Sequence, residues 1–451
     1  MQTCDLYNIL DIKKIYNKID GEINNFCIDT RKIKLNDCYI GIKGENFDGN
    51  DFYQNAFKNG AKIVIIEKDI KKNIPKDKCV IVVPDTVKSL GLIAKYIRST
   101  FDSPVVAITG SAGKTSTKDM VYSVLKEKYN AHKTIGNQNN HLGLPLSILS
   151  LEKDTDVLVL EMGMNHAHEI SYLTSIAKPN VAIITNIGTA HIGNLGSREN
   201  ILKAKLEILE GLNENGTVII NNDNDLLHDW YLKNKNKYNV VTIGIKNVSD
   251  IMASDIKINE IDSEFIYEGN KIHVPVGGEH FIYNSLVAIA VGKLFNIDIS
   301  DIQQGIDNFK LTQNRMDIIK VQNNITIIDD SYNANFDSVK YALKYLSNQS
   351  GRRIAVLGTM RELGEYSKEL HTNLGDIVFD EKIDVLITVG EYANYINERA
   401  IELGFDKNNS YHFDNNKDAI ELINKIKTSN DKILVKASLM VNFKEIVDNI
   451  K

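Results

Sequence analysis

The stretch AITGSAGKTST, residues 107–117, constrains this chain more than any other. An apolar run, Val105, Val106, Ala107 and Ile108, leads into Thr109-Gly110-Ser111-Ala112-Gly113-Lys114-Thr115-Ser116. After it Val121, Val124, Leu125 and Tyr129 recur at roughly helical spacing. A strand, a glycine turn and a helix start in that order make a phosphate cradle. Small residues let backbone N–H groups approach phosphate oxygens, and the helix N-terminus adds its positive dipole. Lys114 can reach the β- and γ-phosphates, and the Thr115 hydroxyl can sit on Mg²⁺. Ile108 stands where the longer GxxxxGK[ST] pattern begins with glycine, so this is the shorter TGSxGKT form. The expectation is a nucleotide held by Gly110, Ser111, Ala112, Gly113, Lys114, Thr115 and Ser116.

The remaining pattern is α/β. Apolar runs at 157–161 and 181–186 end in Glu161 and Asn186, and helical patterns separate them. That alternation predicts a parallel sheet with ligands at the strand C-termini, which places Glu161 and His191 near a phosphate-bound Mg²⁺. Further strands at 325–330, 353–358, 384–389 and 433–436 predict a Rossmann-like third unit. With 451 residues the chain divides into three domains: a small α/β unit over 1–85, a central phosphate-loop domain over 86–312, and a third over 313–451.

A net charge of −6 gives no support to nucleic-acid or anionic-membrane binding. No apolar run approaches the length of a membrane span, and the N-terminus lacks a signal-peptide core. The expectation is a cytoplasmic protein, a monomer, without membrane insertion. Cys4, Cys27, Cys38 and Cys79 have no CxxC spacing, so they are expected to be free thiols.

The segment ENILKAKLEILEGL, residues 199–212, contains an anomaly. On a continuous helix Ile201, Leu202, Ile208, Leu209 and Leu212 share one face, and Lys205 falls in its middle. Lys203, Glu207 and Glu210 fall on the opposite, solvated side. Lys205 either snorkels to a cleft or has a functional role, because burying an ammonium is costly. Asn137, Asn139 and Asn140 occupy a polar Gly/Asn loop that alone would be a turn.

Taken together, IDTRKIKLNDCYIGIKGENFDGN, TGSAGKTSTKDM, GNQNNHLGLP, EMG, NIGTAHIGNLGSRENILKAKLEIL, GGEHFIYNSLVAIAVG, NRMD and DDSYNAN resemble the Mur ligase family along the whole chain. The first and last point to the branch that adds D-alanyl-D-alanine to UDP-N-acetylmuramoyl-tripeptide. The resemblance implies an ATP-dependent ligase of peptidoglycan precursor synthesis that uses ATP and two Mg²⁺ ions. Lys114 and Thr115 would hold phosphates and Mg²⁺, with Glu161 and His191 as further Mg²⁺ ligands. Asn137, Asn139 and Asn140 would lie near the γ-phosphate and the acceptor carboxylate. Lys205 aligns with a lysine that is carbamylated in several members and supports a second Mg²⁺. Asn284 would contact adenine, and Arg315 and Asp330 the ribose or phosphates. Thr30, Arg31, Asp48 and Gly49 would face the uridine diphosphate end, and Tyr332, Asn333 and Asn335 would line the cleft.

The chain departs from the family pattern in places. Asn50 stands where DGH ends in histidine, and His280-Phe281 where HN is usual. Thr359 replaces the aspartate of VLGDM, and Phe336 the proline of YNANP. The run LVKGSR…E stands as Leu434-Val435-Lys436-Ala437-Ser438-Leu439, with Lys444 for the glutamate. The resemblance puts these last changes in the domain that holds the incoming amine. A paralogous ligase with a different amine therefore stays open, as does a phosphate-loop ATPase switch or a nucleotide-holding protein without catalysis.

Overall fold

Runs of aliphatic and β-branched residues too apolar to face water on either side form the centres of three sheets. They are seen in a computed structural model that describes residues 1–70 and 74–451. In the first sheet Phe26–Cys27, Cys38–Ile40, Ile63–Ile66 and Cys79–Val82 run parallel, and Lys14–Tyr16 pairs antiparallel with Cys79–Val82 at the edge. The loops after Cys27 and Ile40 leave from the same end of neighbouring strands. Thr30 and Arg31 therefore share an edge of the sheet with Asp48 and Gly49.

The helix Thr86–Ser99 joins this unit to the next. Leu90 and Ile93 belong to the first core and Ala94 to the central one. Arg98 fastens its C-terminal end by donating to the carbonyls of Ala177 (3.0 Å), Phe101 (2.5 Å) and Ser103 (3.0 Å).

The central sheet is all parallel, in the order Ile251–Met252, Asn239–Gly244, Thr217–Asn221, Val181–Ile184, Val105–Thr109, Val157–Glu161, Ala131–Lys133. Val105–Thr109 is buried throughout, which explains its unbroken apolar sequence. Its neighbours are the strands that end in Glu161 and lead to Asn186. The phosphate loop, a carboxylate and an amide thus emerge side by side. Helix Lys114–Leu125 starts from the loop and packs on Glu279–Leu294, whose residues from Phe281 to Gly292 are buried almost without a break. Tyr129 lies beyond the first of these helices and donates to the Phe295 carbonyl at 2.9 Å.

Two features depart from the sequence expectation. The central domain also carries an antiparallel sheet, Ser254–Ile258, Ser263–Tyr267 and Asn270–Val274. Its last two strands are joined by Glu268-Gly269, both at positive φ, a primed hairpin turn without the Asn-Gly signature. The expected helix over 199–212 is α-helical only for Arg198–Leu206, and Glu207–Gly211 is a 3₁₀ turn. Tightening the helix turns Glu207 inward instead of to the solvated side. Its buried carboxylate accepts from the backbone of His168 (2.7 Å) and Ser171 (3.1 Å) at the start of helix Glu169–Ala177.

In the third sheet Asp317–Lys320 pairs antiparallel with Thr326–Asp329. Parallel strands Lys432–Lys436, Arg353–Gly358, Val385–Val389 and Ser410–Phe413 follow. All four cysteines are free. Among the described residues no helix is long and apolar enough to cross a membrane.

Candidate active site

The phosphate loop is shaped by two glycines and held by the neighbouring strand end. Gly110 sits at φ +154°, and a Cβ there would come within 1.8 Å of the Thr185 hydroxyl oxygen. Gly113, at φ +79°, turns the chain into helix Lys114–Leu125. Asn186 Oδ1 accepts from the N–H groups of Ser111 (3.1 Å) and Ala112 (2.9 Å), and Thr185 Oγ1 donates to the Ala112 carbonyl at 2.7 Å. Lys114 Nζ donates to the Gly110 carbonyl at 2.8 Å. Burial lowers the Lys114 pKa, Glu161 opposes the shift, and the nearby Arg315 adds to it.

Glu161 is almost wholly buried at the end of its strand. Asn139 Nδ2 donates to its Oε1 at 2.7 Å, while Oε2 has no hydrogen-bond partner and stands 3.9 Å from Lys118 Nζ. A buried carboxylate oxygen left without a donor beside a phosphate cradle fits a cation. Among the described residues no group of three or more His, Cys, Asp or Glu could hold a metal by itself. The donor set therefore suits Mg²⁺, which takes one or two protein ligands and completes its shell with phosphates and water.

Lys205 is buried, 1% exposed, and has no hydrogen-bond or ion-pair partner among the described residues. Burial drives its pKa well below the ordinary lysine value, and the Lys114 charge lowers it further. A lowered pKa favours the neutral amine, the form that condenses with carbon dioxide to a carbamate. The middle of the apolar face, where the sequence placed Lys205, is thus where it lies.

A cleft of about 480 Å³ between the central and third domains gathers most of the expected residues. Ser111 to Ser116, Asn137, Asn139, Asn140, Glu161, His191, Asn284, Arg315, Asp330, Tyr332, Asn333 and Asn335 all line it. Asn284 Oδ1 accepts from Thr117 Oγ1 at 2.9 Å, and its buried Nδ2 has no partner, so a donor is left for a ligand. The Arg315 guanidinium lies 4.1 Å over the Tyr332 ring. Gly110 and Lys205 are not among the residues that line it. Thr30, Arg31, Asp48 and Gly49 are outside it, in the first domain. There Arg31 forms a two-point pair with Asp29 (2.9 and 2.8 Å), and Asp48 pairs with Lys68 at 2.7 Å.

The third domain docks on the loop. Asn335 Nδ2 donates to the Ser111 carbonyl at 3.2 Å, and Asp337 accepts from Thr189 N (2.8 Å) and Oγ1 (3.1 Å). Lys436 is buried, pairs with Asp330 and donates to the Asn333 carbonyl at 3.0 Å. Lys444 pairs at 3.0 Å with Asp329, which is fully buried. The reversed charge at 444 is therefore used inside the third domain and does not reach the cleft lining.

Sequence reasoning gave no site role to Thr185, Asn186, His280, Arg361 or Glu362. Four of them had a usable signal. Thr185 and Asn186 follow Val181–Ile184, and Arg361 and Glu362 follow Arg353–Gly358, at the strand ends where ligands gather.

The Mur ligase family, catalytic domain model matches residues 22–97, the Mur ligase middle domain 108–292, and the Mur ligase glutamate ligase domain 314–439. The UDP-N-acetylmuramoyl-tripeptide–D-alanyl-D-alanine ligase of Bacillus subtilis (strain 168) is 37% identical over 95% of this chain and 93% of its own. The crystal structure of MurF from Acinetobacter baumannii superposes with a TM-score of 0.90 at 28% identity, covering 99% of this chain and 98% of that one. MurF ligase from Thermotoga maritima in complex with ADP gives 0.83 at 29% identity, over 94% and 96%.

Proposed function

Because the chain belongs to the Mur ligase family, we propose that it joins D-alanyl-D-alanine to UDP-N-acetylmuramoyl-tripeptide at the expense of ATP. The observation that carries this reading is the joint lining of one cleft by the phosphate loop, the open Glu161 oxygen and the third domain's Tyr332, Asn333 and Asn335. ATP phosphates and the ends of two peptide substrates can meet there.

A carboxylate is a poor electrophile, so it must be activated before an amine can attack. The acceptor's terminal carboxylate attacks the γ-phosphorus, giving an acyl phosphate and ADP. The dipeptide amine then attacks the acyl carbon, the C–O bond breaks with its electron pair going to the departing phosphate, and that phosphate takes up the proton the amine loses. Lys114 and the loop N–H groups orient the phosphates. Asn139 orients Glu161. Two Mg²⁺ ions, held by Thr115, Glu161 and His191 and by a carbamate on Lys205, would supply charge neutralisation for phosphoryl transfer. Docking of the third domain keeps water from the acyl phosphate. In this reading residues 1–85 hold the uridine diphosphate end, 86–312 the ATP, and 313–451 the amine.

The test is phosphate release from ATP and Mg²⁺ with UDP-N-acetylmuramoyl-tripeptide, adding and omitting D-alanyl-D-alanine. Release that needs both, with a mass-confirmed pentapeptide product, is the expected result. Release with the tripeptide but only another amine moves the chain to a paralogous activity. Release with neither substrate overturns the ligase reading.

A further inference from the structure

Lys118 is a buried cation, 2% exposed, that does not line the cleft. It lies one helical turn beyond Lys114 on the helix that starts from the phosphate loop. Burying an ammonium is costly, so its surroundings matter. Its Nζ donates to the Thr134 carbonyl at 2.9 Å and sits between two carboxylates, with Asp119 Oδ1 at 3.4 Å and Glu161 Oε2 at 3.9 Å. Asp119 is also held from elsewhere, by Lys133 Nζ at 2.7 Å on Oδ1 and by Thr312 Oγ1 at 2.5 Å on Oδ2. Thr134 Oγ1 in turn accepts from the Glu161 N–H at 3.0 Å. Lys118 and Glu161 are thus fixed on one frame. The ammonium stands behind the carboxylate oxygen that has no hydrogen-bond partner among the described residues.

A gap of 3.9 Å is too long for a hydrogen bond and short for two charges. Both side chains are buried, so salt and water screen the attraction little. Lys118, Lys133, Asp119 and Glu161 carry two charges of each sign and formally cancel. A divalent cation placed alone on Glu161 tips that balance strongly positive, with an ammonium directly behind its ligand. The same cation carried in on nucleotide phosphates arrives with its charge already offset.

We propose that Lys118 is the resident counter-ion of Glu161, which weakens the hold of that carboxylate on a free divalent cation and makes metal binding depend on the nucleotide. The assignment rests on the proposed reading of Glu161 as a Mg²⁺ ligand. It makes Lys118 a positioning residue that acts through Glu161.

The experiment titrates Mn²⁺, as a paramagnetic substitute for Mg²⁺, into the full-length protein at pH 8 without nucleotide, and reads the free ion by electron paramagnetic resonance. Lys118→Gln loses the charge but can still donate to the Thr134 carbonyl, Lys118→Met loses both, and Lys118→Arg keeps both. Each neutral variant should bind Mn²⁺ about 10- to 100-fold more tightly than the wild type, the size of one neighbouring charge's effect on a charged site. Lys118→Arg should stay close to the wild type. A packing role alone would leave Lys118→Gln unchanged and weaken binding in Lys118→Met, and that pattern overturns the proposal. If Lys118→Met does not fold, as thermal melting will show, Lys118→Gln decides: unchanged or weaker Mn²⁺ binding overturns the proposal. The reading of Glu161 is tested apart from Lys118, in the wild type with a non-hydrolysable ATP analogue, where Glu161→Gln should lose the Mn²⁺ bound with the nucleotide. If it does not, Glu161 is no metal ligand and both readings fall. If it does, and the neutral variants show no gain, only the role of Lys118 falls.

Discussion

His191 Nδ1 stands 2.5 Å from Glu362 Oε2, across the seam between the central and third domains. Both residues have positive φ, 63° and 65°, although neither is glycine. Each such backbone costs on the order of 1 kcal/mol, so the surrounding contacts must hold both in place. They do. The Glu362 carbonyl accepts from Gly193 N at 3.0 Å, and Tyr366 Oη donates to the Gly196 carbonyl at 2.6 Å. The His191–Glu362 contact is the outer part of this clasp between the two domains.

Glu362→Gln removes the charge and leaves the backbone contacts. The contact with His191 lowers the Glu362 pKa, but the carboxylate is half exposed. Solvent screening reduces the pair to about 1 kcal/mol, roughly five-fold in the closed population. Small-angle scattering of the free enzyme should show a larger radius of gyration, and turnover should fall by a similar factor. Unchanged scattering and turnover would remove the clasp from the account of closure.

Lys205→Met keeps most of the buried volume but cannot form a carbamate. Turnover should drop by about 10²- to 10³-fold, the size expected when one electrostatic group is removed from a reacting centre. ¹³C NMR after equilibration with labelled bicarbonate should show a carbamate carbon in the wild type and none in the variant. Added short carboxylates should restore part of the lost rate. A wild type with no carbamate signal and a Lys205→Met variant with full turnover would leave Lys205 a packed core lysine.

Gly110→Ala tests the shape of the phosphate loop. The new Cβ would meet Thr185 Oγ1 at 1.8 Å while the backbone stays at φ +154°. Steric overlap and backbone strain together should weaken ATP binding by at least about ten-fold, since strain alone costs about 1–3 kcal/mol. Adding Thr185→Ala relieves the overlap, leaves the strained φ, and removes the Oγ1 bond to the Ala112 carbonyl. Calorimetry should therefore show partial recovery in the double variant. Full recovery would mean that the strained φ does not matter to the loop.

The phosphate loop was legible because every part of it is local: an apolar strand, two glycines, Lys114 and Thr115 in one continuous run. Lys205 was legible for a related reason, because one lysine on an apolar helix face is anomalous without any tertiary knowledge. The break of that helix at Leu206 was not, since helix Glu169–Ala177 takes up the Glu207 carboxylate from elsewhere in the chain. Lys444 invited a functional reading as a reversed charge, and only the third sheet's packing reveals buried Asp329 as its partner. Arg361 and Glu362 stand just past a strand end that the sequence marks, but the contact of Glu362 with His191 depends on how two domains meet, which no single segment carries.

His280 provides a prediction about pH. Its ring packs at a tilt against Phe281 (centroids 4.1 Å apart) and lies 5.6 Å from the ring of Tyr341 of the third domain. Burial, with the Lys436 charge adding to it, pushes its pKa from 6.5 down to about 3. The folded protein therefore keeps His280 neutral while the unfolded chain takes up a proton below pH 6.5. A depressed folded-state pKa contributes stability that is fully present above 6.5 and is lost as pH falls toward 3. At pH 5 the unfolded chain gains about 2 kcal/mol from this one proton. His280→Phe keeps the ring contacts and cannot titrate. Between pH 7.5 and pH 5 the urea midpoint of the wild type should fall further than that of the variant, because the other acid-sensitive groups are common to both and cancel. Equal losses in the two proteins would mean that His280 is protonated in the folded cleft, and that the contact with Tyr341 tolerates a charge the packing argues against.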